Sequence, residues 1–86
     1  MEKRDIDKAC NQIRNSKKVI ENVVYLNEQV SVLRLAAYKG SKDGSLESGT
    51  IKWLHKEATY IETELYHALA FFIDQSNPRK EEVGSR

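Results

Sequence analysis

Eighty-six residues leave room for one domain near the lower size limit of independent folding. A net charge of +1, with 31% charged and 40% apolar residues, excludes an overall field steering the chain to nucleic acid or acidic lipid. One proline and four glycines disfavour a many-turned β fold, and a lone Cys10 excludes an intrachain disulfide.

The first residues, Met1 to Lys8, are charged and lack the apolar centre of a signal peptide. No apolar run reaches the roughly 18 residues that a bilayer span requires. With the single cysteine, these features set the expectation of a cytoplasmic chain without membrane insertion.

A long helical pattern is predicted over about 4–38, and it carries two apolar seams. Ile6, Cys10, Ile13, Ile20 and Val24 form an early one. Val19, Val23, Leu26, Val30, Leu33 and Ala37 form a later one at 4-3-4-3-4 spacing, turned by about a quarter of the circumference. Between them, Asn15-Ser16-Lys17-Lys18 is polar and includes weak helix formers. A kinked or split first helix is therefore the alternative to a plain hairpin. Cys10, in line with Ile6 and Ile13, reads as a small buried hydrophobe.

Residues 39–49 form the predicted loop, with Gly40 closing the first helix and Ser48 or Thr50 capping the next. A calcium loop fails on chemistry. With Gly44 as its central glycine, Lys39 and Thr50 occupy the first and last ligand positions, where carboxylates are required.

The second helix is predicted over about 50–75, stopped by Asn77-Pro78. Ile51, Leu54, Ala58, Ile61, Leu65, Ala68 and Phe72 make an uninterrupted 3-4 seam of coiled-coil type. Beside it runs a shoulder of Trp53, Glu57, Tyr60, Glu64, His67 and Phe71. Residues 1–77 thus read as one helical domain, and 78–86, with five charges in the stretch 79–86, as a flexible tail.

A single neighbouring helix cannot cover seam and shoulder together. A lone hairpin leaves the shoulder and one first-helix seam in water. The expectation is an all-α antiparallel helical hairpin that pairs into a dimeric four-helix bundle, with a second copy supplying the missing burial.

The leading functional expectation is a small non-enzymatic regulator or adaptor. It homodimerises and meets another protein through Trp53, Glu57, Tyr60, Glu64 and Phe71, because large aromatics are enriched in interface cores. No catalytic group or cofactor is expected: neither histidine converges with a nucleophile, and no phosphate-binding glycine pattern occurs.

Two alternatives belong to other classes. Glu64 and His67, at i and i+3 on one helix face, could join Glu21 or Glu28 in a dinuclear metal site of the kind built inside helical bundles. Lys3, Arg4, Arg14 and Lys18 form a basic strip within a segment, residues 1–18, that holds six basic and three acidic residues. Such a strip could contact phosphates.

Overall fold

The computed structural model describes residues 3–76, and among them every regular element is a helix. These are α1 (Lys3–Arg14), α2 (Val19–Asp43) and α3 (Ser48–Gln75). The split-helix alternative is the one realised.

The break between α1 and α2 has a local cause. Ser16 adopts a left-handed backbone (φ 61), and Lys17 N–H donates to Gln12 O at 2.8 Å while Ser16 N–H donates to Ile13 O at 3.0 Å. Those two bonds make a Schellman closure, which satisfies the last carbonyls of α1. Lys18 is also left-handed (φ 47) and begins α2 without a side-chain cap. The Asn22 side-chain amide ties the corner, donating to Gln12 Oε1 and Lys18 O, each at 2.9 Å.

α2 and α3 lie antiparallel, joined by a turn far shorter than residues 39–49. α2 continues through Gly40 to Asp43, and Gly44 (φ 72) supplies the left-handed closing position. Asp43 Oδ1 accepts from Ser45 N–H at 3.0 Å, which tightens the turn. Gly40 has a packing role instead: a Cβ there would collide with the Leu46 side chain, 2.9 Å from its Cβ. At the start of α3, Glu47 takes the cap position in extended backbone, and Ser48 already lies in the helix. α3 ends at Gln75, as expected, while Asn77-Pro78 and the 78–86 tail lie outside the described residues.

The core follows the two seams and adds α1. Ile6, Cys10 and Ile13 pack with Leu26, Ile61 and Leu65, all 3% exposed or less, where the three helices meet. Ala9 joins them from α1. Ala37 and Leu54 are buried nearer the turn, outside this cluster, where only two helices run side by side. The early seam does not stay together. Ile6, Cys10 and Ile13 are buried, whereas Ile20 and Val24, beyond the break, are 76% and 49% exposed. The left-handed corner re-aims the chain, so a periodicity continued across it no longer marks one face.

Candidate interaction faces

The aromatic shoulder of α3 is covered at its middle by α1. Tyr60 is half-buried and packs against the core cluster, with Lys3 Nζ 5.5 Å from the ring centroid. Burial raises the Tyr60 phenol pKa, and the nearby Asp7 and Glu64 carboxylates raise it further. Glu57 and Glu64 are half-buried along the same line. Toward its two ends the shoulder stays open, with Trp53 at 55% and Phe71 at 46% exposure and His67 exposed beside Phe71. They are 18 residues apart, about 27 Å along a helix. The five residues expected to meet a partner therefore do not form one open patch.

The larger open apolar face lies elsewhere. On α2, Ile20, Val24, Leu35 and Tyr38 are exposed. At 100° per residue they sit roughly 100–160° around the helix from the buried seam. Asn22, bonded to Gln12 of α1, points to nearly the opposite side. On α3, Tyr66 and Ile73 are exposed and turned by roughly 120° or more from Tyr60, away from α1.

Arg34 and Glu62 mark where the two helices meet on this face. Arg34 Nη1 and Nη2 donate to the two Glu62 carboxylate oxygens, each at 3.0 Å. The hydrogen bonds from Arg34 hold the Glu62 carboxyl below its ordinary pKa and raise that of the guanidinium. Beside the pair, Asn27 and Ser31 are low points between the larger Val24 and Leu35. Shallow grooves of about 510 Å³ flank them on both sides, one reaching Arg34 and Glu62, the other Glu28 and Val32.

The remaining candidate residues are scattered. Glu64 is turned toward Cys10 of α1, His67 is exposed, and Glu21 and Glu28 are exposed on the outer side of α2. Among the described residues, no group of three or more His, Cys, Asp or Glu side chains gathers where one ion could be held. The shorter turn also shifts the register. Folding about Gly44–Glu47 rather than residue 43 brings the level of Glu64 from Val23 to about Asn27.

The basic strip is interrupted as well. Lys3 lies over the Tyr60 ring, Arg14 donates to Asn11 Oδ1 at 3.4 Å, and Lys18 is beyond the end of α1 in the corner. Arg4 is exposed on α1. Cys10 is 1% exposed, and burial raises its thiol pKa, with Glu64 and Asp7 adding to the rise and Arg14 opposing it. A thiol so placed is a packing group, since the thiolate is the reactive form.

Sequence reasoning passed over Leu35, Tyr38, Tyr66 and the Arg34–Glu62 pair. Their signal was present, as large apolar residues outside the two seams. No helix of the described residues is long and apolar enough to cross a membrane. Comparison with family models, with curated proteins and with solved structures returns no match, so these faces are read from their own chemistry.

Proposed function

We propose that the chain is a small non-enzymatic adaptor or regulator that pairs with a second copy through the α2–α3 face opposite α1. The open Trp53 end of the hairpin is then its contact for another protein. One observation carries the reading. Ile20 and Tyr38 on α2 and Tyr66 and Ile73 on α3, 56–76% exposed, share one side of the hairpin, and Val24 and Leu35 extend it around the outer flank of α2. An apolar face of this extent, bounded by charged residues, is the usual mark of an association site.

The dimensions agree with a stable dimer. α2 alone, at 25 residues, is about 37 Å long. A face of that length and two helices wide offers roughly the 800 Å² per partner of a standard interface. Pairing α2 and α3 with their counterparts makes a four-helix core flanked by two copies of α1. Such a rigid body acts by bridging or occluding, with no catalytic group required.

Sedimentation equilibrium tests the pairing. The wild-type chain is expected at twice its 9.9 kDa mass at micromolar concentration. Leu35→Glu places a charge within the apolar stripe of α2 and is expected to sediment as a single chain with its helicity kept. Trp53→Ala is expected to leave the dimer intact, since Trp53 is on the other side. A wild-type chain that stays single at high micromolar concentration overturns the reading.

A further inference from the structure

The exposed stripe of α2 reads nearly the same from either end. In chain order it is Ile20, Val24, Asn27, Ser31, Leu35, Tyr38: large, branched, small polar, small polar, branched, large. Its midpoint falls at the level of Gln29, which lines the same groove as Val24, Ser31 and Leu35. A two-fold axis requires a surface to complement itself, with each contact made twice. The near-palindrome lets this stripe meet that requirement in antiparallel pairing.

We infer that the occupant of this face is a second copy of the chain, with α2 packed antiparallel on the partner's α2 about an axis at the level of Gln29. The inference rests on the dimer reading above and adds its orientation and register. In this alignment Ile20 is level with the partner's Tyr38, and Asn27 with the partner's Ser31. Val24 falls within one residue, about 1.5 Å along the axis, of the partner's Leu35.

Asn27 and Ser31 are exposed, and neither side chain makes a hydrogen bond among the described residues. Face to face, the Asn27 amide donates to the hydroxyl of the partner's Ser31, twice by symmetry. Two such pairs at the centre of an otherwise apolar stripe pin the register, as single polar residues do in helical pairings. A slip by one turn sets Asn27 against the partner's Leu35 in one direction and Ser31 near the partner's Val24 in the other, so either slip breaks both Asn27–Ser31 pairs.

Charge gives the direction. Glu21 and Lys39 occupy the same edge of the stripe, close to its two ends. Antiparallel pairing brings Glu21 beside the partner's Lys39, within about two residues or 3 Å of level, again twice. Parallel pairing sets this edge of the two copies on opposite sides of the seam, so Glu21 and Lys39 make no such pair. The helix dipoles add to the same preference, since antiparallel neighbours set positive ends against negative ones.

Mixing two single-cysteine variants tests the register. Native Cys10, buried and held as a thiol, stays silent, and the wild-type chain is the control. Asn27→Cys mixed with Ser31→Cys, under oxidised glutathione, is expected to form a covalent dimer. Either variant alone is expected to form far less. Single reversals Glu21→Lys and Lys39→Glu are expected to weaken the dimer roughly three- to ten-fold, and the double reversal to restore it. Circular dichroism keeps loss of fold apart from loss of pairing. A dimer in which Asn27→Cys cross-links with itself is parallel or shifted by a turn, and either overturns the inference. So does a dimer with no cross-link in any combination; if Leu35→Glu still separates that dimer the dimer reading stands, and if it does not, another face is used and that reading falls as well. A wild-type chain that never dimerises removes both.

Discussion

Single residues do their work here through geometry more than through charge. Ser16 and Lys18 accept left-handed backbones that glycine would adopt at lower cost, and through them α1 can fold back onto the long pair. The Arg34–Glu62 pair is the other residue-scale device, because its two 3.0 Å bonds fix the level of α2 against α3. Its contribution depends on pH with a definite sign. The hydrogen bonds from Arg34 hold the Glu62 carboxyl below the ordinary glutamate range, so the pair stabilises the fold fully above that range. That stability is lost as pH falls through the lower folded pKa. Asp43, depressed by its hydrogen bonds with Ser45, adds a loss of the same sign. Chemical denaturation between pH 6 and pH 3 should therefore show falling stability, with a smaller fall for Glu62→Gln. An equal fall in the two chains would remove Glu62 as a cause.

At the scale of elements, the turn decides how α2 and α3 meet. Gly40 looked like a helix-closing glycine, but its side of α2 is buried against Leu46, and Gly44 four residues later closes the helix. Alanine at position 40 gains about 1 kcal/mol of helix propensity. It also forces Leu46 out of its place, and overpacking of this kind costs about 1–3 kcal/mol. The expected net effect of Gly40→Ala is a loss of up to about 2 kcal/mol, read as a lower urea midpoint. Gly49, with open space around it, is the control position, where alanine should stabilise. The two long seams were legible because a 3-4 repeat survives any small error in helix ends. The role of Gly40 was not, because composition says that a glycine is needed and packing alone says where.

For the whole molecule, α1 changes the balance of exposed surface. It covers Tyr60 and the middle of the shoulder, so only the middle of the aromatic line that looked like the surplus of α3 is used within the chain, with Trp53 and Phe71 left open. What remains open is the opposite side, from Ile20 to Tyr38 on α2 and from Tyr66 to Ile73 on α3. If that face is closed by a second copy, the melting temperature must depend on chain concentration. A hundred-fold dilution from 100 μM should lower it by several degrees, while Leu35→Glu should melt at one temperature throughout. A concentration-independent wild-type midpoint would count against pairing.

The sequence by itself determined that the chain is helical and where its two long seams run, and it marked the stretch 15–18 as the place where a break could fall. Periodicity and helix-weak residues are local properties, and local properties are written along the chain. Only the tertiary structure decided which apolar line is hidden and which is open. That depends on the direction in which α1 leaves its left-handed corner, a rotation of one element about another that no spacing of residues records.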